Sequence, residues 1–408
     1  MPVVVLIGTL DTKGVEYSWL RARLQTLGID VVLVDTGILA PPPMTPDVPR
    51  EEVARAAGID LAWLVSQGDR GVAVAAMARG AAEIVGAMHR EGVLHGILSV
   101  GGSGNSAIST TAMRALPVGV PKLMVSSMTS GDVSPYIGGT DLTMMYSVVD
   151  IAGMNRISIR VLANAADAIA GMAAGYAAGT LLPADRPLIG ATMAGVTTPG
   201  VDAARQLLDV LGYEVLVFHT TGSGGRSVEA MAASGLLSGI LDPTLLELSN
   251  ELVGGVGTAG PDRLETAGRL GLPQVVSLGA LDMAKFGPEI PHRFRHRHVH
   301  VHNPSVTVIR TNAGECAELG RRVATKLRKA TGPTALYIPL RGLSTLGAPG
   351  GPYHDPSLDA VLFNSVRNGL AGSSVEIVEM DTHFNDPVFG RAMADHLHTL
   401  LVPARAAS

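Results

Sequence analysis

Three glycine-rich segments of the sequence carry the residue types that hold an anionic ligand. They are residues 8–14 (GTLDTKG), 102–107 (GSGNSA) and 222–227 (GSGGRS), and each follows a short apolar run. Glycines let the backbone approach a phosphate, and free N–H groups at the start of a following helix bind negative charge. Lys13 can pair with an oxyanion, and Arg226 offers a guanidinium fork to a phosphate or carboxylate. The segments therefore predict anion binding at strand ends.

The spacing of residues in these segments limits the class of ligand site that they can form. The GxxxxGK[ST] spacing of a Walker A loop is absent. Residues 102–107 match GxGxxA, but they follow a later strand than a dinucleotide fingerprint requires, which favours an anion cradle. Asp35 ends the second predicted strand, where an acid can hydrogen-bond ribose hydroxyls. For the first segment, a tight turn in which Asp11 or Thr12 caps the next helix is the structural alternative.

The second half of the chain contains acids, histidines and a long loop that together suggest chemistry. Asp282 follows a predicted strand, and His383 belongs to a dense polar cluster after the last strand. Residues 341–355 form a Gly/Pro-rich loop of the kind that covers a ligand. General acid or base catalysis would fall to carboxylates and imidazoles of this half. The predicted catalytic residues are His302, Asp282, His383 and Glu251.

A histidine- and arginine-rich run, residues 292–304, raises the question of a metal. Side chains alternate along a strand, so His298, His300 and His302 would share one face and could hold zinc. The interleaved arginines repel a cation and no carboxylate is adjacent, so no metal site is predicted. A single functional histidine, His302, and a charged solvent-facing strand are the two alternatives.

The third glycine-rich segment is predicted to bind a substrate of the second half. A further cation and an amide from the same half would complete such a site. The predicted substrate-binding residues are Gly222, Ser223, Gly224, Gly225, Arg226, Arg310 and Asn385.

Alternating strands and helices must position all of these residues. Short β-branched runs alternate with helical patterns in both halves, which predicts right-handed βαβ units and a mostly parallel sheet in each. In the second half, strands are predicted at 188–194, 214–219, 274–277, 306–310, 335–338 and 375–380. A polar, proline-bearing segment, residues 182–187, separates the halves. The prediction is an α/β protein of two Rossmann-like domains, residues 1–183 and 184–408.

Composition sets further limits. A chain of 408 residues suits two domains, and 47% hydrophobic against 16% charged residues excludes disorder. A net charge of −5 gives no attraction for nucleic acid. Cys316 is the only cysteine, which excludes an internal disulfide and a cysteine-based zinc cluster. No secretory signal pattern and no apolar run near the ~20 residues of a membrane helix stands out, so a cytoplasmic protein without a membrane partner is predicted.

Several motifs resemble one family of proteins. They include GTLDTKG, GGSGNS, FHTTGSGGRSVEAM, AGPDRLETAG, GALDMAKFG, HNPSVTVIRT, PLRGLSTLGAPGGPYHDP and the terminal HFNDPVF, in order along nearly the whole chain. The chain resembles uncharacterised bacterial proteins related to the tomato mosaic virus resistance protein, which are described as carrying its ATP-binding domain. The resemblance implies two Rossmann-like domains, nucleotide bound at the first, and a homodimer. The ATP-binding residues that it implies are Gly8, Thr9, Asp11, Thr12, Lys13, Asp35, Gly102, Ser103, Gly104, Ser126, Thr129 and Asp132.

Three functions fit these observations. The first is a metabolic enzyme that binds ATP, with or without Mg²⁺, and acts on a small oxygenated or carboxylated substrate between the domains. The second is a hydrolase or lyase whose chemistry lies in the C-terminal domain without ATP turnover. The third is a non-catalytic, nucleotide-responsive binding protein. The sequence favours an enzyme and leaves its reaction class open.

Overall fold

Two parallel sheets, one in each half of the chain, organise the described residues, 1–179 and 186–405, of this computed structural model. The chain divides into two compact units, Met1–Pro183 and Ala184–Ser408. The polar segment predicted to separate the halves falls mostly on residues 180–185, outside the described residues. Helices flank each sheet, which confirms the predicted α/β fold with two Rossmann-like units.

The sheet of the N-terminal unit has the strand order β2-β1-β3-β4-β5, and every neighbouring pair is parallel. Its strands are β1 (Val3–Gly8), β2 (Asp30–Asp35), β3 (Gly96–Gly101), β4 (Lys122–Ser126) and β5 (Thr143–Tyr146). Its helices are α1 (Leu10–Thr26), α2 (Arg50–Ala56), α3 (Leu61–Ser66), α4 (Arg70–Arg90), α5 (Ser103–Arg114), α6 (Ser134–Ile137) and α7 (Arg156–Ala177). Because side chains alternate along a strand, Val4 and Leu6 pack on the face of α1 and α7, whereas Val5 and Ile7 pack on the opposite face.

The first glycine-rich segment is part of a helix rather than a free loop. The sequence predicts this helix over residues 16–27, but α1 begins at Leu10. The backbone N–H of Leu10 donates to Asp35 Oδ1 at 3.1 Å, so a carboxylate at the end of β2 caps the helix. Lys13 departs from helical geometry, with φ −127° and ψ 18°, and locally breaks the first turn.

The C-terminal unit holds the parallel sheet β14-β13-β9-β8-β6-β7 and a three-stranded antiparallel sheet, β10-β12-β11. Its strands are β6 (Leu188–Met193), β7 (Glu214–His219), β8 (Gly239–Thr244), β9 (Gln274–Gly279), β10 (Met283–Phe286), β11 (Val299–Asn303), β12 (Val306–Arg310), β13 (Thr334–Pro339) and β14 (Glu376–Met380). Its helices are α8 (Thr198–Val210), α9 (Ser223–Ala233), α10 (Leu246–Val253), α11 (Thr266–Leu270), α12 (Ala313–Leu327), α13 (Pro356–Leu370) and α14 (Pro387–Arg405).

One predicted strand of this unit belongs to the antiparallel sheet rather than to the parallel sheet. Residues 306–310 form β12, as predicted, but the expectation that they join the parallel sheet is wrong. Only two residues connect β11 to β12, and so short a connection permits an antiparallel hairpin but not a parallel crossover. The fully buried strand β8 was not predicted, because Asp242 and Pro243 interrupt its apolar pattern.

The two sheets share a switch in strand order. The second and third strands of the N-terminal sheet lie on opposite sides of β1, and those of the C-terminal sheet lie on opposite sides of β6. In open α/β sheets, ligands bind outside the carboxyl ends of strands at such a switch. The segment 102–107 follows the third strand of its sheet, whereas 222–227 follows the second strand of its own. The two segments are therefore similar in sequence but do not occupy equivalent positions in their sheets.

Two helices of the N-terminal unit, α4 and α7, are long and apolar enough to cross a membrane by length and composition. In the sequence neither helix stands out as an apolar run of that length. Both contribute residues to the hydrophobic clusters beneath the sheet, among them Met77 of α4 and Ile169 of α7. This packing is the environment of a flanking helix in an α/β unit.

Candidate functional site

A cavity of about 630 Å³ lies at the carboxyl edge of the N-terminal sheet, lined by residues that follow β1, β2 and β3. Its volume falls within the roughly 300–1,000 Å³ of small-molecule pockets. Seven of the residues predicted to bind nucleotide line it, namely Thr9, Asp11, Thr12, Lys13, Gly102, Ser103 and Gly104. The structure thus brings the first two glycine-rich segments together at the switch in strand order.

One wall of the cavity is apolar and was not predicted. It is formed by the loop after β2 and by α3, α4 and α5. The apolar lining residues are Ile38, Leu39, Leu64, Val65, Ala73, Val74, Met77 and Ile108. Residues 50–66 follow a proline-rich stretch, and the two short helices there gave too few turns to establish a helical period from sequence.

The cavity is also lined by the start of α5 and by two cations, Lys13 and Arg70. Gly102 is the N-cap of α5 and supplies no side-chain cap, so the first-turn N–H groups face the cavity uncapped. A Cβ built on Gly104 would lie 3.1 Å from Arg70 Nη2, which places that guanidinium beside the helix start. Arg70 has no hydrogen-bond or ion-pair partner within residues 1–179 and 186–405. Lys13 Nζ donates to the carbonyl of Ile151, and Lys13 lines the same cavity.

Tyr17, which sequence reasoning missed, joins the ends of β1 and β3. Its fully buried hydroxyl donates to the Ile7 carbonyl at 2.6 Å and accepts the Val100 N–H at 3.0 Å. Asn105 Nδ2 also donates to this hydroxyl, at 3.3 Å. A tyrosine in a helix ordinarily indicates core packing. Of the residues that hydrogen-bond the Tyr17 hydroxyl, Asn105 lies inside the GGSGNS motif, and this was the one signal in the sequence that pointed to the group.

Five of the predicted ATP-binding residues do not line the cavity: Gly8, Asp35, Ser126, Thr129 and Asp132. Asp35 Oδ1 accepts the N–H groups of Leu10 and Gly37 inside the unit. Ser126 hydrogen-bonds Ser106 and the backbone of Met128. A direct nucleotide contact by these five stays a prediction, and for Asp35 the inward-facing hydrogen bonds weigh against the predicted ribose contact.

Asp35 makes the N-terminal unit sensitive to pH. Burial raises the pKa of Asp35 to about 6, although two backbone N–H groups favour its ionised form. Because the folded-state pKa lies above the unfolded value, protonation stabilises the fold, and this contribution is lost as the pH rises through about 6. Asp35→Asn keeps an acceptor for both N–H groups and cannot ionise. We expect its free energy of unfolding to exceed that of the native chain by about 1–3 kcal/mol at pH 8, and by less near pH 4.

Urea unfolding followed by tryptophan fluorescence measures this effect, because Trp19 and Trp63 both lie in the N-terminal unit. Asp30→Asn is the matched control, since Asp30 is exposed at the other end of the same strand. If both variants gave the same pH dependence, Asp35 would not be the group responsible.

The third glycine-rich segment is filled by the protein itself. The backbone N–H groups of Gly222 and Gly225 donate to Glu247 Oε1 at 2.6 and 3.0 Å. A Cβ on Gly225 would lie 2.0 Å from Glu247 Oε2, so only glycine permits this approach. The Arg226 guanidinium donates to the Thr258 carbonyl. An internal carboxylate therefore occupies the anion cradle, which weighs against the predicted substrate role of residues 222–226.

Glu247 belongs to a buried ion network. Arg263 Nε donates to Glu247 Oε2 at 2.8 Å, and Arg263 Nη2 donates to Asp242 Oδ1 at 2.6 Å. Burial opposes the charge of Arg263, but the carboxylates of Asp242, Glu247 and Glu229 outweigh it and hold the pKa of Arg263 above its ordinary value. Arg263 is thus the guanidinium that joins these carboxylates within the C-terminal unit.

Other predicted substrate residues are also engaged. Arg310 is buried, and its Nη2 lies 2.7 Å from Asp359 Oδ1. Asn385 Nδ2 donates to the Val196 carbonyl and to Thr345 Oγ1, while its Oδ1 accepts the Gly200 N–H. Asn385 thereby holds three loops together at the carboxyl edge of the second sheet. Substrate contact by either residue stays a prediction.

The four predicted catalytic residues are not linked to one another by a hydrogen bond or ion pair in the described ranges. Asp282 is fully buried, accepts from Ser344 Oγ at 2.6 Å and leaves Oδ1 without a partner, and burial raises its pKa. His302 is exposed on β11, Glu251 is half-buried on α10, and His383 Nδ1 accepts the Asn385 N–H. Their catalytic role stays a prediction.

Only part of the histidine- and arginine-rich run is a strand: residues 299–303 form β11, whereas His292–Phe294 form a 3-10 helix. His298 and His300 share one face, with their rings 5.1 and 6.2 Å from the ring of Tyr353. Over residues 1–179 and 186–405, no group of three or more His, Cys, Asp or Glu side chains is arranged to hold a metal ion.

Two solved structures show a distant likeness to this chain. A putative UDP-N-acetylglucosamine 2-epimerase from Listeria monocytogenes matches over 96% of this chain and 93% of its own, with 12% identity and a TM-score of 0.24. The glycosyltransferase SnogD from Streptomyces nogalater matches over 98% of each chain, with 14% identity and a TM-score of 0.21. Neither likeness is close enough to argue function.

Sequence relatives are much closer. A protein of Clostridium tetani described as a UPF0261 protein is 44% identical over 400 residues, covering 98% of both chains. The tomato ToMV resistance protein Tm-1 is 34% identical over 97% of this chain and 55% of its own length. The N-terminal domain model of uncharacterised protein family UPF0261 matches residues 2–178, and the C-terminal domain model matches residues 186–401. The chain therefore belongs to the uncharacterised protein family UPF0261.

Proposed function

We propose that the N-terminal unit binds a nucleoside polyphosphate, with ATP as the first candidate. The observation that carries the proposal is one cavity that joins an apolar wall to an uncapped, glycine-rich helix start. A purine base and a chain of phosphates need these two environments side by side. The motif resemblance, which implies ATP at this unit, supports the choice of nucleotide.

The lining residues suggest how such a ligand would lie. The base would pack against Leu39, Leu64 and Met77, which provide apolar surface without aromatic stacking. The phosphates would approach the first turn of α5, where backbone N–H groups and the helix dipole favour negative charge. Arg70 stands beside this turn and Lys13 lies on the facing segment, so both can pair with phosphate oxygens.

The charges of the cavity favour a nucleotide that arrives with a cation. Asp11, Asp69 and Asp150 line it against two cations, Lys13 and Arg70. A polyphosphate would therefore meet a carboxylate excess unless Mg²⁺ accompanied it. Mg²⁺ keeps several waters and needs only one or two carboxylates besides the phosphates, so a preformed cluster of three ligands is unnecessary. Asp150 is the carboxylate that would hold this Mg²⁺. It precedes Ile151, the residue whose carbonyl accepts from Lys13 Nζ.

Replacing Lys13 with Ala is expected to weaken ATP binding about 10- to 100-fold, because a charge-assisted hydrogen bond contributes ~1.5–3 kcal/mol. Arg70→Ala should weaken it by a similar factor. Isothermal titration of each full-length variant with ATP and Mg²⁺ measures the effect. Lys329→Ala, a change of an exposed lysine in the C-terminal unit, is the matched control. Unchanged affinity in both cavity variants would refute the proposed site.

A further inference from the structure

Three buried polar atoms without a hydrogen-bond partner lie together beside the cavity. They are Asp11 Oδ1, Asp35 Oδ2 and Thr36 Oγ1, half of the six such side-chain atoms found in the described residues. An unpaired buried acceptor or hydroxyl is costly, so such a concentration calls for a partner. Asp11 and Thr36 line the cavity, whereas Asp35 does not.

The Asp11 carboxylate is held by the loop that follows β2. Its Oδ2 accepts the Leu39 N–H at 2.8 Å, which leaves Oδ1 as the unused acceptor. A Cβ built on Gly37 would lie 2.5 Å from the Asp11 carboxyl carbon, so glycine is needed for the carboxylate to rest over this loop. Asp11 is thereby fixed between the start of α1 and the apolar wall.

Thr36 occupies the position directly after β2. In dinucleotide-binding folds an acid at the end of the second strand hydrogen-bonds the ribose. Here the acid at that place, Asp35, turns inward to cap α1, and Thr36 is the next residue. Its side chain is 1% exposed and lines the cavity, while its backbone N–H is taken by the Gly8 carbonyl.

We infer that Asp11 and Thr36 read the hydroxyls of a ribose, and that the cavity selects ribonucleotides over 2′-deoxyribonucleotides. The inference rests on the proposed nucleotide binding and adds the sugar to it. Between an apolar wall for the base and the α5 start for the phosphates, these two side chains stand where the sugar would lie. Asp11 Oδ1 accepts a sugar hydroxyl, and the Thr36 hydroxyl donates to or accepts from the same diol.

The test is isothermal titration of the full-length protein with ATP, 2′-deoxy-ATP and 3′-deoxy-ATP, each with Mg²⁺. We expect ATP to bind at least 10-fold more tightly than one of the two deoxy forms, because the missing hydroxyl leaves a buried acceptor unpaired. Thr36→Val, which keeps the shape, and Asp11→Ala should each reduce that ratio by at least 3-fold. Lys329→Ala, at an exposed residue of the C-terminal unit, should leave the ratio unchanged.

The ratio of the affinity for ATP to the affinity for a deoxy form distinguishes recognition of the ribose from damage to the fold. Loosening of the cavity would weaken ATP and its deoxy forms alike, and if both variants did only that, the assignment to Asp11 and Thr36 would be overturned. Equal affinity of the native chain for all three nucleotides would overturn ribose selection and leave nucleotide binding intact. Failure of every nucleotide to bind would overturn the proposed function and this inference with it.

Discussion

Replacing Arg263 with Met should destabilise the C-terminal unit by about 3–5 kcal/mol, the usual cost of removing one partner of a buried ion pair. Arg263 is 1% exposed and is the cation that contacts both Asp242 and Glu247. Its loss would leave Asp242 and Glu247 buried in a medium of low dielectric without the guanidinium that bridges them. Arg263→Lys should recover part of the loss, because an ammonium keeps the charge but cannot bridge both carboxylates in the same planar geometry.

Amide hydrogen exchange resolves this effect within the full chain. Exchange should accelerate in β8 and α10, the two elements that hold the carboxylates, and the thermal unfolding midpoint should fall. Arg341→Met is the matched control, since the Arg341–Asp381 pair is 58% and 71% exposed and solvent screens such pairs strongly. Equal changes in the Arg263→Met and Arg341→Met variants would contradict a stabilising role for the network.

The network also explains why one sequence pattern has two outcomes. Residues 102–107 and 222–227 both offer glycines and a helix start, and both predict an anion site from sequence. In the N-terminal unit the helix start faces an open cavity. In the C-terminal unit Glu247 supplies the anion from within. Only the tertiary arrangement of α10 against α9 distinguishes the two, and a local pattern does not contain it.

Much of the fold follows from local pattern, and the failures have physical causes. Strand β1 is a continuous apolar run because parallel strands are buried on both faces. β8 breaks that rule because Asp242 is compensated by Arg263, 21 residues further along the chain. The antiparallel pairing of β12 depends on the short turn between β11 and β12, and the apolar pattern of residues 306–310 contains no information about that turn.

The part of the candidate site formed by polar residues after strands was predictable from sequence. The apolar wall of the cavity was not. Seven of the twelve predicted nucleotide residues line the cavity, since the ends of parallel strands meet at one edge. Arg70, Thr36 and Leu64 were missed. Each is an ordinary residue of its type in a helix or after a strand, and only the packing of α3 and α4 against the sheet brings Arg70 and Leu64 to the cavity.

Gly8→Ala should destabilise the N-terminal unit on the order of 3 kcal/mol, although the residue does not line the cavity. A Cβ at this position would lie 2.0 Å from Tyr17 Oη and 2.3 Å from its ring carbon Cζ. The ring would have to move, and an overpacked core costs about 1–3 kcal/mol. Moving it would also break the bonds of its hydroxyl to Ile7 and Val100, and each buried group left unpaired adds about 1–3 kcal/mol.

A double-mutant cycle isolates the steric part of this effect. Tyr17→Leu alone should destabilise the unit, because a buried aromatic ring and its hydroxyl are lost. In that background, however, Gly8→Ala should cost less than about 1 kcal/mol, since no ring remains in its way. Urea unfolding followed by Trp19 and Trp63 fluorescence measures all four proteins. Additive losses would contradict the steric explanation. A coupling of 2 kcal/mol or more would mean that Gly8 is needed for the close approach of Tyr17, which ties β1 to β3.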